Sequence, residues 1–126
     1  MSKKIISTSE APSAIGPYSQ AVLSGDTLYC SGQIAIDPQS GDLVMESIEK
    51  ETEQVMKNIS AVLKAADMSF DSVVKCGIFM SSMDHYSTIN EVYARYFKIN
   101  PPAREAVAVK TLPKEVNVEI SVIAVR

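Results

Sequence analysis

The chain has 126 residues, 46% of them hydrophobic, and carries 12 Lys and Arg against 15 Asp and Glu for a formal net charge of −3. This length suits one domain, residues 1–126, burying roughly two-thirds of its unfolded surface. No basic run exceeds Lys3-Lys4 and no unbroken apolar run exceeds four residues, which excludes the charge footprint of a nucleic-acid binder, a membrane-spanning helix and a signal-peptide core.

Lys4 to Ser7 reads as a short first strand, followed by a Pro/Ser/Gly-punctuated loop from Ser9 through Gly16-Pro17. Gln20 to Ser24 and Thr27 to Gly32 are two strand-like runs separated by Gly25-Asp26, a pair suited to a hairpin. Asp37-Pro38-Gln39-Ser40-Gly41-Asp42 is a second turn cluster. From Ser47 the period changes. Ile48, Val55, Met56, Ile59, Val62, Leu63 and Ala66 recur at helical spacing, with Glu49, Lys50, Glu53, Lys57 and Lys64 on other faces. An amphipathic helix of about five turns is predicted.

Ser72 to Ser81, with Val73, Val74, Ile78 and Phe79, reads as a buried strand. Asp84 is the expected N-cap of a second helix whose apolar stripe is Tyr86, Ile89, Tyr93, Tyr96 and Phe97, stopped by Asn100-Pro101-Pro102. Two strands broken at Leu112-Pro113-Lys114 close the chain. The expected fold is α+β, with two helices packed on one face of a mixed sheet in the order β-β-β-α-β-α-β-β. Alternation places Val116, Val118, Ile120, Val122 and Ala124 on one face of the last strand, yet the other face still carries Ile123 and Val125. Two helices cover only one side, so the second side is expected to be buried in a homo-oligomer.

Arg104 stands out in a small, apolar setting, Ala106-Val107-Ala108-Val109, and Glu119 is the lone carboxylate of the terminal strand. A guanidinium grips a carboxylate through two parallel hydrogen bonds, and a glutamate supplies acid–base chemistry beside it. Other chemistries lack their parts. His85, the one histidine, reads as a surface residue at a helix start. No cluster has metal-ligand spacing, Ser31 has no partner base for a triad, and no glycine loop cradles phosphate. The two cysteines, Cys30 and Cys76, lie in apolar runs and read as small hydrophobes of a reduced, cytoplasmic protein.

Ala14-Ile15-Gly16-Pro17-Tyr18-Ser19-Gln20-Ala21, Ser31-Gly32-Gln33-Ile34, Asp37-Pro38, Asn90-Glu91-Val92-Tyr93, Pro102-Ala103-Arg104, Leu112-Pro113-Lys114 and Val118-Glu119-Ile120 run in order along almost the whole chain. Together they resemble the signature blocks of the Rid (YjgF-like) family of reactive-intermediate deaminases. The resemblance implies a chorismate-mutase-like fold assembled as a homotrimer, with sites in clefts between subunits and neither cofactor nor metal. It implies a 2-iminobutanoate/2-iminopropanoate deaminase, a hydrolase that converts enamine and imine intermediates from pyridoxal-phosphate dehydratases to 2-oxo acids and ammonia. Arg104 then takes the substrate carboxylate and Glu119 moves protons, while Tyr18, Ser31, Gly32, Asn90 and Ala106 line the substrate site. Three positions depart from the family's usual pattern: Glu105 replaces a small residue, Ala106 a cysteine, and Ser121 a second glutamate. Two other functions stay open. A non-catalytic module sensing 2-oxo acids needs Arg104 but not Glu119, and an RNA-directed inhibitor or ribonuclease is opposed by the net charge.

Overall fold

The computed structural model describes residues 2–126. Its elements are β1 (Lys3–Ile6), β2 (Ala21–Ser24), β3 (Thr27–Cys30), α1 (Ile48–Ala65), β4 (Val73–Met80), α2 (Tyr86–Ala94), β5 (Ala103–Ala108) and β6 (Val118–Val125), in the order expected from sequence. One six-stranded sheet runs β1-β2-β3-β6-β4-β5. Only β4 and β5 pair in parallel, joined by the crossover that contains α2. All other neighbours are antiparallel.

Both helices lie on one face. Val55, Met56, Ile59, Val62 and Leu63 of α1 and Val118, Ile120, Val122 and Ala124 of β6 are buried in one core cluster. The helix begins where the Ser47 side chain accepts the Lys50 N–H at 3.1 Å, a cap worth about 1 kcal/mol. Cys30 and Cys76 are buried free thiols, and burial pushes Cys30 up to about 12, so both behave as small hydrophobes.

The second helix differs from expectation at both ends. Ser82, not Asp84, supplies the cap: its hydroxyl accepts the Asp84 N–H at 3.0 Å and starts a 3-10 turn over Met83–His85 that leads into α2. The helix ends at Ala94, well before the prolines, because tertiary contacts capture the following residues. Arg95 pairs with Glu49 and Glu53 of α1 at 2.7 and 3.1 Å, and the Tyr96 hydroxyl donates to Glu53 at 2.8 Å. Phe97 leaves the helical stripe but joins Phe70 and Tyr93 in an aromatic cluster, with ring centroids 5.3 and 4.7 Å apart.

The opposite face of the sheet is open in the single chain. Register places Ile5, Val22, Tyr29 and Ile123 in one row across it, and Val107, Phe79 and Glu119 in another. Ile5 and Tyr29 are each 51% exposed and Val107 43%. This is the uncovered apolar surface that the alternation in β6 required.

Candidate functional site

Glu119 belongs to the open face. It alternates with the buried Val118 and Ile120 and pairs with Phe79 on β4. A short bridge brings a loop to it: Gln33 N–H donates to Ile120 O at 2.8 Å and Ile120 N–H to Gln33 O at 3.1 Å. That bridge lays Gly32 directly against the carboxylate. A Cβ built on Gly32 would sit 2.8 Å from both Cδ and Oε2 of Glu119, so only glycine leaves the acid where it is. Burial raises the Glu119 carboxyl above the ordinary glutamate value.

A cavity of about 530 Å3 opens over this pair, lined by Tyr18, Ser31, Gly32 and Glu119 together with apolar Ile15, Ile34, Ile36 and Pro113. Ser31 is held by its hydroxyl donating to Ser19 O at 2.6 Å. The buried Gln20 amide fastens the outer loop, donating to Pro12 O at 2.7 Å and Thr8 O at 3.0 Å while accepting the Thr8 N–H at 2.7 Å. Tyr18 is 54% exposed at the rim, past a Gly16 with φ 116°, a value that strains any other residue. The far wall is strained: Lys114, which lines the cavity, and Glu115 just behind it both take φ 55°, left-handed values for residues with a Cβ. The base of β6 is fixed by a carboxylate unremarked in the sequence. Glu51, fully buried on α1, accepts the Asn117 N–H and Nδ2–H at 2.8 and 2.9 Å, two residues before Glu119.

Arg104 lies elsewhere. It pairs with the buried Cys76 on β4 and shares the helix face with Ala106, which packs against the core. Glu105 points to the other face, as alternation demands, and pairs with Lys75 at 3.2 Å, so it does not compete for the guanidinium. Arg104 Nη1 donates to Asn90 Oδ1 at 2.7 Å and Nη2 to the Tyr86 hydroxyl at 2.8 Å. Its Cζ sits 4.9 Å from the Tyr93 ring centroid and 5.7 Å from that of Tyr86.

Within one chain the candidate residues therefore form two groups. Tyr18, Ser31, Gly32 and Glu119 share the cavity. Arg104, Asn90 and Ala106 occupy the opposite face of the sheet. His85 precedes α2 and belongs to neither group. Among the described residues no three His, Cys, Asp or Glu side chains converge as a metal site. Tyr86 and Tyr93 were read from sequence only as core stripe residues; their i, i+4, i+7 spacing with Asn90 was the available signal.

The profile of the endoribonuclease L-PSP family matches residues 8–126. Human 2-iminobutanoate/2-iminopropanoate deaminase is 47% identical over 124 residues, covering 98% of this chain and 90% of that protein. A Rid-family crystal structure from Yersinia pestis is 51% identical with TM-score 0.95, covering 99% of this chain and 100% of that one. The crystal structure of E. coli TdcF with bound serine superposes with TM-score 0.93 at 39% identity, each chain 98% covered. With its fold and nearly its whole length shared with these proteins, the chain belongs to the Rid (YjgF-like) family.

Proposed function

We propose that this protein hydrolyses 2-imino acids such as 2-iminobutanoate and 2-iminopropanoate to 2-oxo acids and ammonia, in a homotrimer whose sites combine the Glu119 cavity of one copy with Arg104 of another. One observation carries the reading: among the described residues, an acid raised by burial with no cation paired to it and a guanidinium held only by neutral groups lie on opposite faces of the same sheet. Neither half is a complete site for a small anion. The open apolar face bordering Glu119 supplies the surface over which a second copy completes it. Free, buried thiols suit a reducing cytoplasm.

The chemistry follows from the two halves. The enamine first tautomerises, gaining a proton on carbon and losing one from nitrogen. Arg104 binds the carboxylate of the resulting imine and makes its C2 more electrophilic. Glu119 takes a proton from water as the new C–O bond forms, and the imine nitrogen is protonated to an amine. The carbinolamine then collapses: Glu119 passes the hydroxyl proton to the amine nitrogen, the C=O bond forms and the C–N bond breaks to release ammonia. A carboxyl raised by burial returns its proton more readily than an ordinary one. Against an RNA substrate, which the endoribonuclease name raises, stand the net charge of −3 and a cavity wall in which Lys114 is the single cation among the described residues.

The test is imine hydrolysis coupled to a threonine or serine dehydratase. Glu119→Gln and Arg104→Ala should each lose about 10²-fold or more. A Glu119→Gln protein at full rate would remove Glu119 from the chemistry; if Arg104→Ala also loses the ligand and wild type does not exceed the uncatalysed rate, the metabolite-binding module replaces the enzyme reading.

A further inference from the structure

An arginine that recognises a carboxylate must be oriented without being neutralised. Among the described residues no carboxylate pairs with Arg104; its hydrogen-bond partners are the uncharged Asn90 and Tyr86. Both come from α2, with Tyr93, at positions one and two turns apart on the same helix face. Tyr93 is 5% exposed and its ring lies beneath the guanidinium carbon, its hydroxyl finding only the weak Cys76 thiol as a partner among the described residues. Its ring is therefore a fixed floor. The two hydrogen bonds then set the rotation of the fork on that floor, one at each terminal nitrogen. Two of the five N–H donors are engaged and three remain, including one on each terminal nitrogen, enough for a bidentate carboxylate.

We propose that Tyr86 is a positioning residue for carboxylate recognition: its hydroxyl anchors one arm of Arg104 and presents the free donors in a single orientation. The inference rests on the role of Arg104 given above. A carboxylate in place of this hydroxyl would hold the arm more tightly but cancel the charge that the substrate needs. The neutral phenol orients the arm and leaves the charge available.

The experiment measures the dissociation constant of 2-oxobutanoate by calorimetry and KM and kcat in the coupled assay, for wild type, Tyr86→Phe, Arg104→Lys and the double variant. Tyr86→Phe keeps the ring and loses only the anchor. It should weaken binding and raise KM about fivefold to tenfold while kcat and the thermal midpoint stay near wild type. In the Arg104→Lys background, where no fork remains to be oriented, the second substitution should add nothing. Unchanged binding in Tyr86→Phe, or an equal loss in both backgrounds, overturns the positioning role while leaving the proposed function intact. Unchanged binding in Arg104→Lys contradicts the proposed function itself and removes the basis of this inference with it.

Discussion

The two halves of the candidate site are built in opposite ways. Around Arg104 the structure is dense: a helix face, a buried thiol and an aromatic floor hold one charged group through short hydrogen bonds. Around Glu119 it is open: a cavity of about 530 Å3, a half-exposed tyrosine at the rim and a wall that includes the left-handed Lys114. The dense half is shaped to orient an anion, and the open half leaves room for water and substrate next to a raised acid. In the proposed function, binding and proton transfer fall to different faces of one sheet.

The sharpest way to break this division is to compare Glu119→Gln with Arg104→Ala. The first should lower kcat by about 10²- to 10⁴-fold with little change in KM. The second should appear chiefly in KM and kcat/KM. Glu119→Gln should also keep or gain stability at neutral pH. Burial raises the folded-state carboxyl above its unfolded value, so protonated Glu119 favours the fold below the unfolded value. That contribution is lost as pH rises through the folded-state value, and the glutamine variant is free of the loss. Thermal midpoints measured from acid to neutral pH check the sign.

Gly32→Ala tests how closely the open half is fitted. The clash falls on the mobile end of a side chain, so the fold should tolerate it while the carboxylate is displaced. A loss of about tenfold in kcat with an unchanged thermal midpoint is expected. In wild type the acid limb of the kcat profile should lie above the ordinary glutamate range near ~4.3, because the base form is lost at a higher pH. The smallest effect belongs to the strained wall. Glu115→Gly releases a left-handed φ of 55°, and the gain, about 1–2 kcal/mol less a glycine entropy cost of about 0.5–1, should lie between about 0 and 1.5 kcal/mol in chemical denaturation.

Much of the fold was legible because it is set locally. The helical period of α1 and its Ser47 start, the Gly25-Asp26 hairpin and the buried face of β6 all follow from spacing and turn chemistry. The end of α2 was not, since Glu49 and Glu53 on α1 draw Arg95 and Tyr96 away. Arg104 and Glu119 were visible as a cation and an acid in apolar strands. That they sit on opposite faces was not, because parity within a strand does not say which sheet face it meets. The pairings of Cys76 with Arg104 and of Phe79 with Glu119 decide it, and those are long-range registers. The neutral clasp on Arg104 escaped for a related reason: tyrosines at helical spacing look like core until a strand from later in the chain lies beside them.

The central claim, that two copies jointly form each site, is tested by mixing two inactive proteins. Arg104→Ala and Glu119→Gln chains, co-refolded in equal amounts, should regain about one quarter of wild-type imine hydrolysis, as random pairing leaves that share of interfaces with both groups intact. Mixed oligomers confirmed by mass spectrometry that remain as inactive as their parents would contradict it.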